Sequence, residues 1–474
     1  MRKTKIICTI GPSSEDAGTI KDLIEGGMDV ARLNFSHSSH QEHARRIERL
    51  KKISEEARMP IAIMLDTKGP EIRVGIFEGG KAELKEGDIF TLFKNGERIG
   101  DKSGVGISYP YLARFVDKGA ELLIDDGRII LIAIEKHNGD VICRVKSGGV
   151  ILNRKSLNIP NVDIDQEYIS KEDEKDLLMG VKLGVDFIAA SFVRCEDDVI
   201  KLRGFLDENG GKEIKIISKI ESGRGLRNID SIIKVSDGIM IARGDMGVEL
   251  PFDKVPEIQK KVIRKCLQSG KTVITATEML DSMQLSKRPT RAEASDVANA
   301  VYDGSSALML SAETASGAYP LQALRAMKAI IESTEEHLAH SLSIHHAKAS
   351  LDIRNALSVA SISLANEIGA KAIIVCTKSG ETALRTSILH PRMPIIAICL
   401  DRKRARQLKL EYGVLPIYGE YQSRSDMIKT NAIKLALETG IVKAEDYVVL
   451  EIGSADEKSE NSYAIVVDRI SKES

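Results

Sequence analysis

In the segment IISKIES, Ile216–Ser222, an ammonium and a carboxylate are placed two residues apart. Side chains alternate along a strand, so Lys219 and Glu221 share one face and Ile220 takes the other. Read alone, that is a buried ion pair. The stretch GIMIARGD adds a second carboxylate, Asp245, and no His or Cys stands beside either acid. Two hard oxygen ligands, with room left for water and substrate oxygens, suit Mg²⁺ or Mn²⁺. Asn34, Ser36, Asp66 and Thr67 make a second oxygen set with one formal charge, and that mix suits a monovalent cation. Arg32 and Arg73 offer the forked donors that clamp phosphoryl oxygens. A lysine beside a divalent ion can neutralise charge developing on a transferring phosphoryl group or an enolate. In ARGDMGVEL the backbone N–H groups of Gly244 and Asp245 can meet a substrate carboxylate, because glycine permits close approach. The chemistry implied is phosphoryl transfer on a small phosphorylated acid.

Those residues must be positioned by something, and they sit at the ends of apolar runs. The runs are TKIICTIG from Thr4, DVARLNF from Asp29, PIAIMLD from Pro60, VDFIAASF from Val185, IKIISKIE from Ile214, GIMIARGD from Gly238, TVITATEML from Thr272 and SALMLSAE from Ser306. Unbroken apolar runs of this length read as strands covered on both faces. Helix-like stretches lie between them, such as HARRIERLKKISEEA from His43 and VPEIQKKVIRKCLQSG closed by Gly270. Each step has the length of one βα unit except that from Pro60 to Val185. Eight such units predict a (β/α)8 barrel with a domain inserted after the third strand. In these barrels the site lies at the carboxyl ends of the strands, where Arg32, Asp66, Lys219, Arg243, Thr277 and Ser311 fall. The insert alternates with period two between Gly-Asp turns, as in EIRVGIF and GAELLIDDGRIILIAIE, and reads as a small antiparallel β domain. Beyond Glu335 the connector HLAHSLSIHHAKAS leads to alternating helix and strand, a third, α/β domain.

Composition narrows the function further. The 474 residues carry 68 Lys and Arg against 69 Asp and Glu, so no global field draws nucleic acid or an anionic membrane. The six cysteines are scattered without a CxxC pair, which signals neither a zinc ribbon nor a redox motif and fits a reducing compartment. The apolar start is cut by Gly11 and Pro12, too early for a signal segment or a membrane span. A cytoplasmic location is expected.

The motifs CTIGPSS at Cys8, ARLNFSH at Ala31, LDTKGPEIR at Leu65, ISKIES at Ile217, ARGDMGVE at Ala242 and PTRAEASDVANAVYDG at Pro289 together resemble the pyruvate kinase family over nearly the whole chain. The resemblance implies an α/β fold: a (β/α)8 TIM barrel at 1–69 and 167–340, an inserted small antiparallel β-barrel lid domain at 70–166, and a C-terminal α/β regulatory domain at 341–474. It implies transfer of a phosphoryl group from phosphoenolpyruvate to ADP, giving pyruvate and ATP. Lys219 would stabilise the phosphoryl group and the enolate. Glu221 and Asp245 would bind Mg²⁺, or Mn²⁺. Gly244, Asp245 and Thr277 would hold the substrate carboxylate, with Arg32 on the phosphoryl group. Thr277 and Ser311 would join the relay that protonates the enolate. Asn34, Ser36, Asp66 and Thr67 would hold K⁺, and Glu71 matches members that need that ion. Asn34, His37, Arg73 and Lys155 would meet the nucleotide, with the insert acting as a lid. A homotetramer is implied as well.

Three departures stand out: Arg224 in place of an acid or Gln, Glu278 in place of Gln, and Ser156 in place of Gly. None removes a named catalytic group. The loop TKSGET, with Thr377, Ser379, Gly380 and Thr382, resembles the family's effector-phosphate loop. The later stretch GSADEKSENSYAIVV is acidic and short of glycine, which argues against fructose bisphosphate as the effector. His337, His340, His345 and His346 read as a solvated connector rather than a metal cluster. Asp125 and Asp126 before Gly127 read as a turn. Two other functions compete: a metal-dependent lyase acting on the same enolate, and a silent metabolite sensor. The lyase needs no lid or Lys219, and the sensor needs no intact Lys219, Glu221, Asp245 and Thr277.

Overall fold

The computed structural model describes residues 1–160, 162–338, 353–419, 425–452 and 464–471. Eight parallel strands close a barrel: β1 (Lys5–Thr9), β2 (Val30–Asn34), β3 (Ala62–Asp66), β4 (Phe187–Ala190), β5 (Lys215–Ile220), β6 (Gly238–Ala242), β7 (Thr272–Ala276) and β8 (Ala307–Leu310). Each of the eight apolar runs supplies one strand. The reason is visible in the packing. Ile7, Met64, Phe187, Ile217, Met240 and Met309 fill the barrel interior. Ile6, Ile63, Ile188, Ile216 and Ile241 pack outward against the helical coat. With both faces buried, the strands are mostly apolar before their ends, and Ser218 and Thr275 are satisfied by Ser236 and Ser305. The helix His40–Glu56 is part of that coat. Ser39 and Glu42 form its capping box, and Ile47, Leu50 and Ile53 lie on its buried side.

The insert lies between β3 and β4. A six-stranded sheet and the pair Lys81–Leu84 with Gly149–Leu152 share one core that includes Phe90, Leu131, Ala82 and Ile151. One pairing departs from the antiparallel expectation: Ile89–Phe93 runs parallel to Gly104–Gly106. The loop between them turns back on itself before rejoining the sheet, which requires close backbone approach. A Cβ at Gly104 would lie 2.3 Å from the Thr91 carbonyl oxygen. The Asp125–Asp126–Gly127 turn does form, with all three residues at positive φ.

The C-terminal residues form a five-stranded sheet. Val414–Tyr418, Ile395–Cys399, Ala372–Thr377 and Tyr447–Ile452 run parallel, and Ala464–Arg469 is an antiparallel edge. This domain seats against the amino ends of the barrel strands. Arg406 reaches Asp186 at 3.0 Å, Thr272 donates to Glu411 at 2.7 Å, and Lys5 Nζ donates to the Val414 carbonyl at 2.6 Å. Leu410 packs with the residues of the barrel interior. The carboxyl ends of the strands are left for the site. His340, His345 and His346 lie outside the described residues, as does most of GSADEKSENSYAIVV; His337 Nδ1 lies 2.9 Å from the Ser333 carbonyl in its own helix.

The same junction carries a pH-sensitive group. The His390 ring stacks on Tyr412 with centroids 3.8 Å apart, its Nε2 is buried without a partner, and burial pushes its pKa down to about 3. Above pH 6.5 the ring is neutral in both folded and unfolded chains. As pH falls below that value the unfolded ring takes a proton and the buried ring does not, so stability is lost between pH 6.5 and about 3. His390→Phe is expected to flatten that slope by about 1.4 kcal/mol per pH unit. Urea unfolding at pH 7 and pH 5 measures it, and identical slopes in both proteins would count against the assignment.

Candidate active site

Every barrel strand delivers a polar group to the carboxyl rim, and six groups from β1 to β5 form one buried cluster. Lys219 Nζ donates to Asp66 Oδ1 at 3.0 Å and to Ser191 Oγ at 2.7 Å, and lies 2.9 Å from Glu221 Oε1. Arg32 Nε donates to Asp66 Oδ2 at 2.7 Å, and its Nη1 donates to Thr9 Oγ1 at 2.9 Å. Glu221 is fully buried, and its Oε2 accepts the Phe192 N–H at 2.6 Å. Phe192 adopts a positive φ to aim that N–H, an uncommon conformation for a bulky residue.

The charges respond to this crowding. Burial would push the Lys219 ammonium down, but Asp66 and Glu221 outweigh it and hold its pKa above the ordinary lysine value. Burial would raise Asp66, yet Arg32 and Lys219 hold its carboxyl below the usual range. Glu221 goes the other way. Burial pushes its carboxyl up, Lys219 opposes, and Asp245 pushes it up further. Lys219 favours the ionised form of Glu221 as well, but there burial, with Asp245, outweighs it. Glu221 Oε1 is buried and accepts no hydrogen bond, despite the ammonium beside it. A carboxylate oxygen left in this state, with a second carboxylate close by, fits a divalent cation. Among the described residues no cluster of three or more His, Cys, Asp and Glu forms, so two protein acids would leave positions for water and substrate.

The next two strands build the other wall. Gly244 N donates to Thr277 Oγ1 at 2.7 Å, which joins the start of the helix Arg243–Glu249 to the end of β7. Thr277 and Glu278 both have positive φ. Consecutive left-handed residues other than glycine are strained and persist only when held. Arg243 holds them: its Nη2 donates to both carbonyls, at 2.9 and 3.0 Å, while Asp296 anchors its Nη1 at 2.7 Å. Glu278 therefore contributes its carbonyl to this clamp. Ser311 sits at the end of β8, its Oγ buried without a partner and its N–H held by Glu313 at 2.7 Å.

The remaining sequence candidates fall near or apart as follows. Asn34 and Asp66 are paired across β2 and β3, and Ser36 N donates to Asn34 Oδ1 at 3.1 Å. Thr67 Oγ1 accepts the Ser191 N–H at 3.1 Å. His37 lies close enough to Arg73 and Arg32 that, after partial burial, their charges lower its pKa. Arg73 is bound to Glu71 Oε2 at 2.6 Å, and Lys155 to Asp125 Oδ1 at 2.6 Å. Ser156 Oγ reaches Asp126 at 3.5 Å, and Arg224 stands in a short helix capped by Ser222. In the C-terminal domain Thr377 Oγ1 accepts the Gly380 N–H at 2.9 Å and Ser379 Oγ accepts the Glu381 N–H at 3.4 Å. Thr382 faces a separate small pocket with Arg354 and Glu451.

The chain matches known proteins over most of its length. The family model described as the barrel domain of pyruvate kinase matches residues 1–324, and that described as its alpha/beta domain matches residues 355–467. The chain belongs to the pyruvate kinase family. It is similar to the pyruvate kinase of Clostridium perfringens, at 44% identity with 96% of each chain covered. It is similar also to that of Geobacillus stearothermophilus, at 44% identity over 95% of this chain and 78% of the relative. A solved structure of a Cryptosporidium parvum pyruvate kinase superposes with a TM-score of 0.93 at 38% identity, covering 98% of this chain and 96% of that one. Pyruvate kinase activity and the fold follow from these likenesses. Among the described residues no helix is long and apolar enough to cross a membrane.

Several groups at this pyruvate kinase rim escaped the reading of the sequence. Ser191 and Thr9 hold Lys219 and Arg32, and the Phe192 amide holds Glu221. The signal was there in Ser191 and Thr9, the polar residues that close the fourth and first apolar runs. Glu249 was also missed. Burial pushes its carboxyl up to about 7, and it accepts from Asn158 in the insert and from the Gly223 N–H. It thereby ties the inserted domain to the helix that carries Asp245.

Proposed function

We propose that this chain transfers a phosphoryl group from phosphoenolpyruvate to ADP, giving pyruvate and ATP, with Mg²⁺ (or Mn²⁺) and K⁺ as cofactors. The observation that carries the proposal is the buried ammonium of Lys219 at the barrel mouth, between Asp66 and Glu221 at 3.0 and 2.9 Å. Two of its N–H groups are committed to Asp66 and Ser191. The third points toward Glu221 without hydrogen-bond alignment, and this is the one available to negative charge on a substrate. Arg32, fixed by Asp66 and Thr9, presents the rest of its guanidinium to the phosphoryl oxygens. The start of the helix Arg243–Glu249 receives the substrate carboxylate, and the Arg243 clamp on Thr277 keeps the hydroxyl beside it. Thr277 and Ser311 stand where the enolate carbon takes its proton. A divalent ion held by Glu221 and Asp245 would supply charge neutralisation on the reacting oxygens. Lys155, Arg73, His37 and Asn34 meet the nucleotide as the insert closes and excludes water.

For K⁺ the donors are Asn34, Ser36, Asp66 and Thr67. The Asp66 carboxylate already serves Arg32 and Lys219, so the monovalent ion would share that oxygen set with them. The working state is a cytoplasmic homotetramer, and Thr377, Ser379, Gly380 and Thr382 form an effector-phosphate loop.

The test is ADP-dependent release of pyruvate from phosphoenolpyruvate in a coupled assay. Both a lyase and a silent sensor fail it. Omitting K⁺ in a Tris background at saturating Mg²⁺ and substrates is expected to cut turnover. Equal rates with and without K⁺ would remove the monovalent site.

A further inference from the structure

The first helix after the insert reaches back to two loops of the rim. It spans Lys171–Lys182, and Ser170 and Asp173 form its capping box. Acids of its first two turns hold the loop after β3. Asp173 Oδ1 accepts the Gly69 N–H at 3.3 Å, and Lys68 Nζ lies 3.3 Å from both Glu172 Oε2 and Asp176 Oδ2. Asp176 also holds the loop after β2. Its Oδ1 lies 2.5 Å from Nε2 of His40, the first residue of the helix His40–Glu56.

Asp176 is only 1% exposed, whereas Glu172 stands in solvent, where an ion pair adds little. Asp176 Oδ2 accepts no hydrogen bond and has Lys68 as its counter-charge. Partial burial would lower the Lys68 pKa, yet Asp176, and after it Glu172, hold it above the ordinary lysine value. A buried carboxylate of this kind is a weak source of stability, since apolar residues of similar size often serve as well. What it does supply is a fixed distance between its partners.

Those partners belong to loops rather than to the barrel wall. His40 follows the loop that carries Ser36 and His37, just beyond Asn34. Lys68 follows Thr67 and precedes Gly69 and Pro70, where the insert begins. At their roots the loops are joined by the Phe35 N–H on the Asp66 carbonyl, at 3.0 Å. Farther out, His43 Nε2 lies 2.7 Å from the His37 carbonyl and Arg46 Nη1 donates to Ser38 Oγ at 2.9 Å, but both bonds stay within the first loop and its own helix. Asp176 joins the two loops a second time.

We propose that Asp176 is a positioning residue that ties these loops together, setting Asn34 and Ser36 against Thr67 around the monovalent cation and placing His37 for the nucleotide. This role rests on the K⁺ and nucleotide assignments made above.

The experiment compares Asp176→Asn, His40→Asn and Lys68→Met in the full-length protein by amide hydrogen exchange and by steady-state kinetics. His40 and Lys68 are partly exposed, so their variants fold even if the buried one does not. Exchange of residues 35–39 rises about tenfold in His40→Asn and that of residues 67–71 about tenfold in Lys68→Met, the scale of one lost bond to a charged group. In Asp176→Asn both segments rise together. The half-activating K⁺ concentration and the KM for ADP increase in all three, while Mn²⁺ affinity and the KM for phosphoenolpyruvate hold, because Lys219, Arg32, Glu221 and Asp245 are untouched. Adding Lys68→Met to Asp176→Asn raises the K⁺ requirement no further, as expected of two residues that share one interaction. A parent that ignores K⁺ removes the monovalent site alone, and exchange and the KM for ADP then decide the role of Asp176. Four results overturn it: each single-partner variant leaves its own loop unchanged, exchange rises evenly through the barrel, the KM for ADP stays at the parent value, or a K⁺-responsive parent and its variants share one half-activating concentration.

Discussion

Replacing Lys219 with methionine is expected to lower kcat about a thousandfold, the scale seen when one preorganised charge is taken from a developing anion. The KM for phosphoenolpyruvate should change little, because Arg32 and the start of the Arg243–Glu249 helix remain. Stability is the second readout. Removing one partner of a buried ion pair commonly costs about 3–5 kcal/mol, since the other charge is stranded. Here the loss should fall at or below the lower end. Asp66 keeps Arg32 at 2.7 Å, and Glu221 already has its carboxyl raised by burial, so it can take a proton at modest cost. The methionine variant should therefore fold, bind Mn²⁺ and fail to turn over. Turnover near the parent rate would show that the ammonium only fills space between two acids.

The same cluster shows why one wall of the rim is built from five successive strands, β1 to β5. Lys219 and Arg32 share Asp66, and Ser191 and Thr9 fix the ends of both cations. Each cation is thus held from two neighbouring strands. A side chain held this way loses little freedom when substrate arrives, which is the physical meaning of preorganisation. Arg243 performs the equivalent service for the opposite wall, where two strained residues in succession would otherwise relax.

The strands were readable because burial on both faces leaves an unbroken apolar run, and each run stopped at the rim where polarity returns. Lys219, Glu221, Asp66 and Arg32 were readable for the same reason: a charge at the end of a buried strand needs an explanation. What the chain does not reveal is who answers whom. Nothing in the order of residues says that Ser191, rather than Thr67, accepts the hydrogen bond from Lys219, or that a phenylalanine amide turns to meet Glu221. Those contacts depend on backbone conformations such as the positive φ of Phe192. The parallel pairing in the insert and the stacking of His390 on Tyr412 were hidden likewise, since each depends on how the intervening segment turns back. Arg243 was recognised as a rim residue, but its grip on Thr277 and Glu278 is a tertiary fact.

Glu221→Gln is expected to weaken divalent-cation binding by about a hundredfold, the upper end of what metal sites lose when a supporting group is removed. It should also erase a pH dependence. Burial and the nearby Asp245 hold the Glu221 carboxyl above the ordinary carboxylate range when no cation is present. A metal ligand must be deprotonated, so the ion has to displace that proton. In the parent protein, affinity should therefore climb as pH rises above the ordinary carboxylate value of about 4.3 and level off once Glu221 ionises without help. Glutamine has no proton to lose, so the slope in that window should shrink to what Asp245 contributes. Mn²⁺ titration followed by electron paramagnetic resonance reads both effects without any need for turnover. The amide keeps the acceptor for the Phe192 N–H, so the fold around it should survive, and a parent-like thermal midpoint confirms that. If the glutamine variant bound Mn²⁺ as tightly as the parent, with the same pH slope, Glu221 would be only the counter-ion of Lys219, and the divalent site would have to be sought around Asp245 and Glu71, whose carboxyl burial also raises.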